Sequence, residues 1–433
     1  MKILHCATLA FLLATNLALA SKTVVSIDFG FDPANSTTFL DAAINSSYDT
    51  VVVDSTGQTW FTNPLFITRN NLVLIFENGV TLEALPGYGT LSRLITISSR
   101  SNISLIGYGA ILKMRKADYV ASNDSQFRHC LHIVGSTNIS VAGLEIRDSG
   151  GDGILIGSNS TVSYSSYISV YDCLIDDNYR QGISIISAQN VNISHCHIRN
   201  TVGHAPEAGI DIEPFLTTQT IRNICISDTH FENNNGYGLK LALTYFNDTL
   251  VSVDVNRCRM SNNKKGGFDL NDDYYFDTIP CDGYVKLKNC LIENNPKIGV
   301  HVVKLADKLP LTLENTIIKY CGTNPVAYSN APLFFEPVIY GNPGIYHGGV
   351  YFNHVLIEDT LDRSWVSRYG GVLSDLSGDI TIINPAGGYT DYNGSTSNIT
   401  LIDSFLTSYP ATELSISSTD SCALEGTDWA AFS

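Results

Sequence analysis

The sequence predicts an all-β solenoid, in which short parallel strands coil into a β-helix behind an N-terminal capping helix. Three observations carry that reading. One phrase (short strand, Asn/Asp-rich turn, glycine, short strand) recurs from Asn102 onward at steps of roughly thirty residues. Apolar and polar residues alternate after each glycine, the period of a half-buried strand. No helical segment separates the strands, so they cannot form βαβ units and must stack directly on one another.

The elements follow in chain order. Lys2, the apolar run Ile3 to Leu17 and the small-x-small triplet Ala18-Leu19-Ala20 predict an export leader cleaved after Ala20. That run is too short for a confident membrane span. FLDAAI (Phe39 to Ile44) reads as the capping helix and VVVD (Val51 to Asp54) as a first strand. The repeat then appears as GDGILIG at Gly151, RQGISII at Arg180, EAGIDIEP at Glu207, GYGLKLA at Gly236, KGGFDLN at Lys265, KIGVHVV at Lys297 and GGVYFNH at Gly348. The last repeat takes Gly349 as its anchoring glycine. Ile154/Ile156, Ile183/Ile185, Ile210/Ile212, Leu239/Leu241, Phe268/Leu270 and Val300/Val302 are expected to fill the interior. Residues 306–345, with Pro310, Pro325, Pro332, Pro337 and Pro343, read as an inserted loop leaving the coil. Residues 375–433 read as a final coil or cap, and 21–433 as one domain.

Composition narrows the function. A net charge of −16 argues against nucleic acid and anionic membrane as partners. Ten Asn-x-Ser/Thr sequons suit a secreted glycoprotein. Asn102, Asn138 and Asn192 share the phrase Asn-Ile-Ser, which is also the grammar of the repeat. Cys173, Cys196, Cys258 and Cys290 fall at one repeat position, with Thr229 and Thr316 in the gaps. That favours a stacked column of small buried thiols over bridges. Cys281, Cys321 and Cys422 are the better candidates for a disulfide.

The repeat from Val24 to Gly349, with the entry segment NPLFITRNNLVLIFENGVTLEALPGY, resembles the pectin-lyase-like right-handed parallel β-helix superfamily. The resemblance implies a right-handed coil and an elongated carbohydrate-handling groove. It implies no particular activity. The polygalacturonase phrases (Asn-Thr-Asp, Asp-Asp, Gly-His-Gly, Arg-Ile-Lys) do not occur in order, and neither does the epimerase Asp-Pro-His.

Two residues after each glycine the side chain should point outward. That column reads Leu155, Ser184, Asp211, Lys240, Asp269, His301 and Tyr351, with His132 one coil earlier. The next outward position reads Gly157, Ile186, Glu213, Ala242, Asn271, Val303 and Asn353. Ionisable groups concentrate on consecutive coils. Asp211 and Glu213 sit roughly 6.6 Å apart by Cα, and Asp211 and Asp269 roughly 9–10 Å. Both separations suit an acid and base pair for inverting glycoside hydrolysis. Asp211, Glu213, Asp269 and Lys240 are therefore the catalytic candidates, with the acid expected at Glu213 or Asp269. Arg180, Glu207, His301, Asn271 and the aromatic Tyr274 are the candidate substrate-binding residues.

The expected function is a secreted glycoside hydrolase acting on an extended polysaccharide, with no cofactor. A calcium-assisted lyase or epimerase is the second reading, its Ca²⁺ held by Asp211, Glu213, Asp269, Asn271 and Asp272 and its base Lys240 or Arg180. Two carboxylates beside Lys240 would push it up, away from that duty. A non-catalytic matrix glycoprotein is the third.

Overall fold

The computed structural model describes residues 23–122, 125–246, 250–273, 280–323, 330–337, 344–384 and 396–406. The leader, Tyr274 and Cys422 lie outside the described residues. The fold is a right-handed parallel β-helix with strands predominating and, among the described residues, two α-helices, Thr37–Ile44 and Lys116–Ser122. Neither helix is long and apolar enough to cross a membrane.

Each coil contributes up to three strands. Leu131–Val134 is followed by Thr137–Ala142 and Glu145–Arg147 before the chain returns as Ile154–Gly157 directly above Leu131–Val134. The first strand of each coil joins an eleven-stranded face that climbs from Leu65–Ile67 to Val366–Arg368. The others build the remaining faces, and every strand pairing is parallel and nearly in register. Alternation places the predicted interior residues in the core: the six apolar pairs from Ile154/Ile156 to Val300/Val302 are at most 1% exposed. Leu40, Ala43 and Ile44 of the first helix are also buried, so the helix covers the open N-terminal end of that core.

Close backbone approach dictates the glycines. A Cβ at Gly182 would lie 2.5 Å from Gly209 O, and one at Gly209 would lie 2.5 Å from Gly238 O. Two ladders finish the turns. Asn234 and Asn263 each receive the backbone N–H of the coil below and pass an amide to the coil above, through Thr201 N to Asn234 Oδ1 (3.1 Å), Asn234 Nδ2 to Asn263 Oδ1 (2.9 Å) and Asn263 N to Asn295 Oδ1 (2.9 Å). The cysteine column is explained by what alternates with it. Cys173, Cys196, Thr229, Cys290 and Thr316 each donate to the carbonyl two residues back, at 3.3, 3.3, 2.8, 3.2 and 3.0 Å. The position requires a small side chain with one donor, which cysteine and threonine share.

Three expectations are corrected. Gly349 is not the last anchoring glycine: Gly299 sits beside Pro332, because Ile298 pairs with Ala331 and Val300 with Leu333. Tyr351 and Asn353 consequently lie on another face, paired with Thr312 and Glu314. Residues 306–345 are not simply an excursion, because they contain the coil strands Leu311–Glu314, Ile317–Lys319 and Ala331–Glu336. The prolines misled because Pro332 can occupy the glycine position at this upper coil. Finally, Cys281 and Cys321 are buried thiols and not bridged. Their sulfurs lie against Phe246 O at 3.4 Å and Lys319 O at 3.4 Å.

Candidate functional site

On the eleven-stranded face the predicted column forms a true register line. His132 pairs with Leu155, Leu155 with Ser184, Ser184 with Asp211, Asp211 with Lys240, Lys240 with Asp269, and Asp269 with His301. Phe334, not Tyr351, completes it above His301.

Two charge networks meet at Asp211. In the lower one, Arg180 grips Glu213 bidentately, Nη1 to Oε1 and Nη2 to Oε2 both at 2.6 Å. The same Nη1 lies 3.4 Å from the fully buried Asp152 Oδ1, and Ser184 Oγ donates to Glu213 Oε1 at 3.1 Å. Asp152 in turn faces His129 Nδ1 at 3.2 Å. In the upper network Lys240 Nζ donates to Asp269 Oδ2, and His301 Nδ1 lies 2.8 Å from Asp269 Oδ1. Glu336 Oε2 approaches His301 Nε2 at 3.4 Å. Tyr237 and Phe334 stack on the two sides of that imidazole, at 6.2 and 5.3 Å between centroids.

Asp211 lies between the networks and is 1% exposed. Gln181 Nε2 donates to its Oδ2 at 2.9 Å, while Oδ1 has no hydrogen-bond partner. Burial and then the charge of Glu213 push its carboxyl well above the usual range, against the opposing pull of Lys240 and Arg180. Asp269 is equally buried, but Lys240 and His301 outweigh the desolvation and bring it down to about 2. Desolvation opposes the charge on His301 too, yet Asp269 and Glu336 lift it to about 9. Burial likewise works against Lys240, and Asp269 and Asp211 raise it nonetheless. Of the carboxyls in this column, Asp211 is the one pushed toward the protonated form, whereas Asp269, offered with Glu213 as the acid, is pulled the other way. The attraction of Asp211 to Lys240 is outweighed by desolvation, which spacing along a sequence does not reveal.

The other candidates divide. Arg180 and His301 join the networks. Glu207 does not: it turns its carboxylate to Gly203 N at 2.8 Å and to Asn235 Nδ2, where it closes a loop. Asn271 follows Asp269 on the same face but accepts from Asp273 N at 3.0 Å, opening the next loop. Asp272, offered as a calcium ligand, accepts from Cys281 N at 3.0 Å instead.

Sequence reasoning missed Gln181, Tyr237 and Glu336. Gln181 and Tyr237 directly precede Gly182 and Gly238, so the repeat itself could have flagged them. Glu336 was hidden because its coil carries Pro332 in place of the glycine. A separate cleft of about 570 Å³ beside the Lys116–Ser122 helix is a weaker candidate. Its charges already neutralise one another, as in Lys116–Asp177 at 2.6 Å and Arg115–Glu83 at 3.3 Å.

A parallel β-helix with paired carboxylates ranged along one face is the class of protein that fold and site define. The chain belongs to the family described as the right handed beta helix region, whose model matches residues 44–213 and 110–277. No curated protein matches the sequence significantly. Among solved structures it is similar to a family 28 exopolygalacturonase of Yersinia enterocolitica, with 14% identity, a TM-score of 0.58 and coverage of 87% of this chain and 78% of that one. The tailspike protein of E. coli bacteriophage HK620, in complex with a pentasaccharide, is similar at 11% identity and TM-score 0.60, covering 83% of this chain and 66% of the tailspike. The A-module of the mannuronan C-5 epimerase AlgE4 of Azotobacter vinelandii is similar at 11% identity and TM-score 0.56, covering 88% and 97%. These likenesses concern the fold.

Proposed function

We propose that the protein is a secreted, carbohydrate-active β-helix enzyme that hydrolyses an extended glycan lying along the eleven-stranded face. The observation that carries this reading is a buried carboxyl with one unpartnered oxygen, Asp211, two residues before Glu213, which Arg180 grips bidentately. On extended backbone the two Cα atoms are roughly 6.6 Å apart and the side chains project to one face, where an acid and a base could flank one glycosidic bond. Asp211 gives its proton to the glycosidic oxygen as the C–O bond breaks. Glu213, oriented by Arg180 and Ser184, takes a proton from the water whose oxygen bonds to the anomeric carbon. Asp269 keeps Lys240 and His301 in place. The three similar structures are an exopolygalacturonase, a tailspike in complex with a pentasaccharide and a mannuronan epimerase module, which supports this substrate class. Lys240 is raised, which works against the base role that a lyase would give it at neutral pH.

A non-catalytic glycan-binding face is the second reading, favoured by the 1% exposure of both Asp211 and Asp269. Under the hydrolase reading the Arg180–Glu213 pair must part to admit substrate.

The test is a polysaccharide panel incubated with protein purified from culture supernatant, reading reducing ends and ultraviolet absorbance with and without Ca²⁺. N-terminal sequencing of the same material should begin at Ser21. Reducing ends without absorbance are expected, and Asp211→Asn and Glu213→Gln should each lower the rate by about 10²–10⁴-fold. Full activity in Asp211→Asn would sink the hydrolase reading. Absorbance lost on chelation would move it to a lyase. Silence on the panel together with glycan binding would favour the binding face.

A further inference from the structure

A second cluster lies on a different face, where the strands His197–Arg199 and His230–Glu232 run side by side. His197 pairs in register with His230, and Arg199 with Glu232. The two imidazoles stack at 4.8 Å between centroids, only 6° from parallel. Glu232 Oε2 lies 3.1 Å from His197 Nε2, and Ser261 Oγ lies 2.9 Å from His230 Nε2. One potential ligand atom from each of His197, His230 and Glu232 falls within 4.8 Å of the others.

We propose that His197, His230 and Glu232 form a binding site for a zinc-type divalent cation that staples two adjacent coils. The geometry suits it. Residues i and i+2 of one strand share a face, and a third in register on the next strand, about 4.8 Å away, completes a triangle. Two nitrogens and one carboxylate oxygen are a zinc donor set, and a water completes a tetrahedron. Ligands on such a shell lie about 3.3 Å apart, so on ligation the two imidazoles tilt out of their parallel stack toward one ion.

The surrounding charges give an independent reason. The column containing Glu232 is an ion-pair ladder in which the neighbouring carboxylates have a cationic partner: Asp176 has Arg199 at 3.1 Å, and Glu293 has Arg259 at 2.6 Å and Lys319 at 3.3 Å. Glu232 is paired to an imidazole and to no Arg or Lys among the described residues. Arg199 and Arg259, which flank the cluster, are thereby occupied by their own carboxylates. The His230 ring is held at Nε2 by Ser261 Oγ. Ser261 fixes the ring's direction, as outer partners of metal-binding histidines do.

The experiment is calorimetric titration of the chelator-treated, full-length protein with ZnCl₂, followed by Co²⁺ for its visible absorption. One equivalent of Zn²⁺ is expected, with a rise in melting temperature that equal Mg²⁺ or Ca²⁺ does not produce. His197→Asn, His230→Asn and Glu232→Gln should each weaken binding at least about 10-fold. His204→Asn, on a turn against Tyr179 and outside the cluster, should leave it unchanged. The three ligand positions are half-buried, and circular dichroism checks that the variants fold. No Zn²⁺ uptake, uptake indifferent to the three substitutions, or an equal response to Mg²⁺ would each overturn the proposal. A Co²⁺ band typical of six oxygen ligands would do the same.

Discussion

Asp211 and Asp269 occupy the same column two coils apart and are equally buried, yet their surroundings drive them in opposite directions. Two cations paired directly with Asp269, set against Glu213 beside Asp211 and Lys240 and Arg180 committed to other carboxylates, make the difference. Activity that needs Asp211 protonated is present below its folded pKa and lost as pH rises through it. Lys240 lowers that pKa, so Lys240→Gln should move the basic limb of the rate profile to higher pH, as measured on a confirmed substrate. His301 gives a stability prediction. Its folded value of about 9 lies above the ordinary 6.5, so its contribution is fully present below 6.5 and disappears as pH climbs to about 9. His301→Gln should flatten that decline, which in the native protein amounts to up to ~3 kcal/mol, in urea-unfolding midpoints taken across this window.

At the scale of the element, the coil is set by positions that tolerate few side chains. Gly182→Ala drives a Cβ toward Gly209 O and Ile198 Cγ2, at 2.5 and 2.3 Å. It should lower unfolding free energy by about 2–3 kcal/mol. The donor position predicts a contrast. Cys290→Thr keeps the donor to Lys288 O and should change stability by less than about 0.5 kcal/mol, whereas Cys290→Val leaves that carbonyl only its bond from Arg257 N and should cost about 0.5–1.5 kcal/mol. Chemical denaturation of both variants decides it, and equal losses would mean that size alone governs the site. The repeat made these positions legible, since glycine and the Cys/Thr alternation recur in phase. Their causes, a carbonyl in the next coil and one two residues back, are matters of backbone path.

At the scale of the molecule, each coil pairs its strands only with those of its neighbours, so interior coils are held from both sides and end coils from one. Hydrogen exchange should be slowest in the strands from Ile154–Gly157 to Ile298–Val303 and faster toward Val366–Arg368, where one neighbour remains. Uniform protection along the solenoid would contradict this. The charged ladders share that one-dimensional logic. With 16% charged residues, the chain places many of them in columns where each side chain meets its partner one coil away.

The sequence alone determined the coil, its interior and the outward column from His132 to His301, because a period of two and a recurring glycine fix which side chains face where. It could not determine the phase beyond His301, since Pro332 replaces the glycine and Gly349 imitates it on another face. Nor could it say which carboxyl is pushed toward the protonated form. Spacing along a strand reports distance, while the proton on Asp211 depends on desolvation and on how Arg180, Lys240 and His301 are divided among three carboxylates. Only the stacked coils decide that division.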